Sequence, residues 1–79
     1  MFEDERRTTL EAAEPEVALE VILPPFKAKQ LERRGLSLPE LDQVRARVLS
    51  RQVTVTEMDV AVNRALMSAE GLEELRRLL

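Results

Sequence analysis

Between residues 16 and 23 apolar side chains fall at every second position. Val17, Leu19, Val21 and Leu23 alternate with Ala18, Glu20 and Ile22. A period of two with β-branched residues predicts a half-buried β-strand. Ile22 lies on the outer face of that strand, beside Ala18 and Glu20. Pro24 and Pro25 end it, because proline cannot donate to a ladder. Upstream, residues 3–13 read as a short helix or residues 7–12 as a second strand, and Pro15 separates either from the strand at 17–23. That strand needs a partner for its main chain. Residues 7–12, the Val53-Thr54-Val55 segment or the same strand of a second copy would each supply one.

Beyond the prolines the period lengthens to that of a helix. Phe26 to Arg34 predicts a short basic helix anchored by Phe26 and Leu31, with Gly35 as its stop. Ser37-Leu38-Pro39-Glu40 has the form of a capping box. The helix it opens runs to about Ser50 or Arg51, with Leu38, Leu41, Val44, Val48 and Leu49 as its apolar stripe. Gln43, Arg47 and Arg51 form a polar, basic stripe elsewhere on that helix. Val53 to Val55 reads as an extended link. Thr56 caps a helix over 57–68, with Asp59 as its box partner. At 100° per residue Met58, Ala61, Val62, Ala65 and Leu66 share one face, and Val60 and Met67 share the opposite one. Gly71 reads as an interruption or bend, followed by a short amphipathic helix through Leu72, Leu75, Leu78 and Leu79.

The fold class expected is mainly α: three to four short helices with one or two β-strands near the N-terminus, in one small domain. Residues 1–15 form an acidic arm and residues 16–79 the α-rich domain. The core is expected to include Leu41, Val48, Val62 and Leu66.

Composition narrows the chemistry. The 79 residues contain no Cys, His, Trp or Tyr. Thiolate, imidazole and phenol chemistry are therefore absent, as are disulfides and Cys- or His-ligated metal sites. The carboxylates show no calcium-loop spacing, and the two glycines make no phosphate loop. No cofactor, no metal and no enzymatic role are expected. The lack of disulfides favours a cytoplasmic location, and the longest apolar stretch, residues 21–26, is too short to span a membrane.

Charge adds a pattern that the net value of −3 conceals. Residues 1–23 carry seven acids against Arg6 and Arg7, while residues 24–52 carry seven basic residues against three acids. Residues 53–79 carry five acids against three arginines. A basic middle between acidic flanks suits binding rather than catalysis. The expected function is a non-enzymatic protein–protein interaction module that self-associates. Its expected contact residues are Ile22, Arg47, Arg51, Val60 and Met67, with the two arginines facing an acidic partner.

One alternative rests on a resemblance. A strand ending in proline, a short basic helix, then Arg33-Arg34-Gly35-Leu36-Ser37 and a second helix with Glu40-Leu41 resembles the ribbon-helix-helix family of small DNA-binding dimers. The resemblance covers residues 17–49. It implies a homodimer whose paired strands enter the major groove. It also implies that Gly35, Leu36 and Ser37 grip phosphate at the start of the second helix. The chain departs from the family in its shorter first helix, in Asp42, and in Ala18, Glu20 and Ile22, which are not base-reading side chains.

Overall fold

The computed structural model describes residues 14–79. They form five α-helices: α1 (Pro15–Ile22), α2 (Pro25–Arg33), α3 (Leu38–Leu49), α4 (Val55–Met67) and α5 (Ala69–Arg77). The mainly helical fold agrees with the sequence pattern. The N-terminal strand does not: no strand occurs among the described residues. The segment expected as a strand is α1. Pro15 occupies its first turn, where a missing N–H costs nothing. Ala18 and Ile22, four apart, are fully buried, and Leu23 closes the same face. This i, i+4 stripe runs through the alternating pattern and wins because it faces the core. The Leu23 amide donates to Leu19 O at 2.8 Å, so the segment satisfies its own main chain. The question of which strand pairs with it disappears, and residues 7–12 lie outside the described residues.

The connections are short and built by two recurring devices. At the end of α2, Gly35 adopts φ 110°. The Gly35 amide donates to Glu32 O and the Leu36 amide to Leu31 O, both at 3.0 Å. This is the Schellman arrangement, and its apolar partners Leu31 and Leu36 are both buried. Leu36 also precedes the cap of α3, and the fourth helical residue, Leu41, is buried with it, as in a hydrophobic staple. Between them stands the expected capping box. The Ser37 hydroxyl accepts from the Glu40 amide at 3.3 Å, and the Ser37 amide donates to Glu40 Oε1 at 3.0 Å.

The α3–α4 connection repeats the scheme. Arg51 takes the left-handed position with φ 62°, the Arg51 amide donates to Val48 O, and the Gln52 amide donates to Arg47 O. Thr54, not Thr56, caps α4; its hydroxyl accepts from the Glu57 amide at 3.1 Å, so Asp59 has no part in that cap. Val53 and Met58 are buried as the flanking staple.

The α4–α5 junction corrects a further expectation. Gly71 does not interrupt the chain; it lies in the first turn of α5. The break is made by Ser68, extended at φ −154°, whose hydroxyl accepts from the Gly71 amide at 3.0 Å. Gly71 is needed for space. A Cβ there would lie 2.0 Å from Arg64 O and 2.8 Å from Ala65 N. The absence of that atom lets α5 lie directly against the α4 backbone.

Helix α4 is the centre of the fold and packs against all four other helices. Its buried Met58, Ala61, Val62 and Ala65 meet Ile22, Leu31, Val44, Val48, Leu72 and Leu75 in one apolar core. Leu41, Val48 and Val62 are core residues as expected, and Leu66 packs at its edge. Leu38 and Leu49, expected in the α3 stripe, are instead exposed at the two ends of that helix. No polar or charged side chain is buried among the described residues.

Polar contacts tie the rim. Arg76 on α5 donates from Nε to Glu40 Oε2 at 3.1 Å and from a terminal nitrogen to Gly35 O at 3.0 Å. Lys27 on α2 donates to Asn63 Oδ1 on α4 at 2.8 Å. The Glu40 carboxyl is held below its ordinary value, first by the Ser37 amide, then by the Ser37 hydroxyl and by Arg76, against an opposing effect of burial.

Candidate partner-binding surfaces

The described residues that carry ionisable chemistry are on the surface, and no three acidic side chains among them are grouped to hold a metal ion. What the surface offers is apolar side chains in ordered places. Two of these places coincide with residues expected at an interface.

The first is on α4. With its core face turned to α1, α2, α3 and α5, the helix presents Val60 and Met67 to solvent, 46% and 81% exposed. Seven residues apart, they stand almost directly above one another along the helix. Arg64 lies between them. Val60 also lines a shallow groove of about 370 Å³ between α4 and α5, together with Ala61, Leu78, Thr56 and Glu57. One wall of that groove is the Arg64–Glu74 ion pair, 3.1 Å long. Met67 precedes the Ser68 cap as Leu36 and Val53 precede theirs, yet it is exposed where they are buried.

The second place is the end of α3. Arg51 and Leu49 border a depression of about 320 Å³ with Glu14, Pro15 and Glu16 at the start of α1. Arg51 is exposed, as an interface residue should be. Arg47 is not a free neighbour of it. Its guanidinium donates to the Gln52 side chain and, at 2.6 Å, to Leu79 O, so it links α3 to the end of α5. The expected basic stripe is therefore divided between an internal tie and an outward cation.

Ile22 is the clear correction. It is fully buried, because the segment that carries it is a helix whose inner face includes position 22. The residues that take its place on the outside are Val17 and Val21, 52% and 48% exposed. Phe26 at the start of α2 is 62% exposed. The reading of residues 26–34 as a helix took Phe26 as an apolar anchor, and the strand reading turned Val17 and Val21 toward the core. The signal that finds them is the spacing Ala18, Leu19, Ile22, Leu23, which places Val17 and Val21 opposite.

The helical state of residues 17–22 also removes the ribbon from the ribbon-helix-helix comparison. The segment that would lie in a DNA groove is α1, and its exposed charges, Glu16 and Glu20, are acidic. No helix among the described residues is long and apolar enough to cross a membrane. No protein-family model, curated protein or solved structure matches the chain, so the surfaces themselves are what a functional reading rests on.

Proposed function

We propose that the chain is a non-enzymatic, cytoplasmic interaction module that associates with itself and docks a protein partner on the outer face of α4. The observation that carries this reading is the Val60–Arg64–Met67 line beside the α4–α5 groove. Single exposed apolar residues are ordinary on any protein surface. Two on one helical line, next to an apolar groove with a charged wall, have the layout of an interface: apolar centre, polar rim. The groove walls are helices fixed by the core, which keeps the ordering cost of binding low. The missing His, Cys and Tyr support the non-enzymatic reading, and the missing disulfides support the cytoplasm. A DNA-binding role would need a surface other than α1.

The test is site-specific photocrosslinking in cells. A photoreactive residue at position 60 or 67 is expected to trap one partner, whereas the same residue at the exposed Asp42 is not. The partner is then purified and its affinity measured for Val60→Ser/Met67→Gln. A large loss supports the reading. Equal trapping from all three positions, or unchanged affinity in the double variant, removes the α4 face from the interface.

A further inference from the structure

We propose that the outer faces of α1 and α2 are complementary halves of a contact between copies of this chain, with α1 of one copy lying against α2 of the next. This rests on the self-association in the reading above and names the surface responsible.

The outer face of α1 is apolar and acidic. Val17 and Val21 are exposed about 100° round the helix from the buried Ala18 and Ile22, and Glu16 and Glu20 flank the valines on the side away from that pair. The outer face of α2 is apolar and basic. Opposite its buried Leu31 stand Phe26, Lys29 and Arg33, all exposed and within about 60° of one another at 100° per residue. Gln30 adjoins them, and the acid Glu32 lies toward the other edge. Glu16 and Glu20 are four residues apart, as are Lys29 and Arg33, so each pair spans the same rise of about 6 Å. Laid side by side, the two helices bring Val17 and Val21 against Phe26 and two carboxylates opposite two cations.

The charges are also available. Among the described residues none of Glu16, Glu20, Lys29 and Arg33 takes part in an ion pair, whereas Arg45, Arg64 and Arg76 do. The neighbouring Lys27 is held by Asn63. Within one copy a tight turn at Leu23 and Pro24 joins the helices, and each turns its inner face to α4. The two outer faces therefore look outward, and a second copy supplies to each the charge it lacks. The apolar trio gives such a contact its affinity, and the opposed charges fix its partner and direction. In a two-fold dimer the α1–α2 contact is made twice.

Charge exchange between variants tests this. Sedimentation velocity from micromolar to submillimolar concentration is expected to show the native chain assembling, more weakly as salt rises. Glu16→Lys/Glu20→Lys and Lys29→Glu/Arg33→Glu are each expected to be monomeric with native helical content. Mixed in equal amounts they are expected to associate again, because each reversed face then meets its reversed counterpart. Val17→Ser/Phe26→Ser removes the apolar centre without touching charge and is expected to be monomeric as well. A native chain that stays monomeric throughout overturns the proposal, and so does a mixture of folded variants that fails to reassociate. Either result leaves partner docking on α4 to stand or fall by position 67.

Discussion

Three residues occupy positions where the side chain itself is the question, and each answers differently. Gly35 needs its conformation. At φ 110° an L-residue is strained, while the nearest atom to an added Cβ is an Arg76 nitrogen 3.8 Å away. Gly35→Ala should thus cost only the backbone penalty, about 1–2 kcal/mol. Gly71 needs its space. A Cβ 2.0 Å from a main-chain oxygen has no flexible neighbour to yield, so Gly71→Ala must push α5 off α4. The expected loss exceeds the usual overpacking cost of about 1–3 kcal/mol, and urea melts of the two alanine variants should rank them in that order. Arg51 is the reverse case, a side chain where glycine is favoured. At φ 62° its left-handed strain exceeds the extra chain entropy that glycine would lose on folding. Arg51→Gly is expected to stabilise the chain by roughly 0.5–1 kcal/mol. A melt showing destabilisation would mean that the guanidinium contributes a contact outweighing the strain.

The stop of α2 and the cap of α3 are the most legible elements in the sequence, and α1 is the least. Ser37 and Glu40 announce α3 because a capping box needs two residue types at a fixed spacing, and the hydrogen bonds form as that spacing implies. Gly35 is equally direct. Residues 17–23 carry two periods at once. Val17, Leu19, Val21 and Leu23 satisfy the strand, and Ala18, Leu19, Ile22 and Leu23 satisfy the helix. The small Ala18 weighs little in a hydrophobicity count, yet it is the residue that meets the core. Only tertiary packing separates the two. The same ambiguity put Ile22 on the wrong side and concealed Val17 and Val21. The cap of α4 slipped from Thr54 to Thr56 because both threonines have an acid three residues on. On α3 the box has a pH signature. Glu40 titrates below its ordinary value of 4.5 when folded. Its contribution is fully present above the unfolded pKa and disappears as pH falls through the lower, folded one. Glu40→Gln keeps the box geometry and removes the charge. Its melting temperature should lie below that of the native chain at neutral pH, and the gap should close in acid. Parallel pH profiles would assign the loss to geometry instead.

At the scale of the whole molecule, core and candidate interface share one helix, and that makes them separable by experiment. A chain this short buries a smaller fraction of its surface than a larger domain does, so each buried side chain of α4 carries a large share of the stability. Met58 is fully buried where α4 meets the other helices, and Met67 is 81% exposed on the same helix. The residue type is the same, and what differs is the face. Met58→Ala removes core contacts and leaves a cavity, a loss of about 2–5 kcal/mol. That is a substantial part of the roughly 5–15 kcal/mol that holds a domain folded. Met67→Ala removes nothing from the core and should stay within about 0.5 kcal/mol of the native chain. If the outer face of α4 is a docking surface, the order reverses in a binding assay with a partner trapped from position 67. Met67→Ala then weakens binding with its melt unchanged, and Met58→Ala keeps full affinity in its remaining folded fraction. A Met67→Ala chain as unstable as Met58→Ala would place that side chain in the core and leave α4 without an outer apolar line. A stable Met67→Ala chain with unaltered affinity would move the contact to another helix.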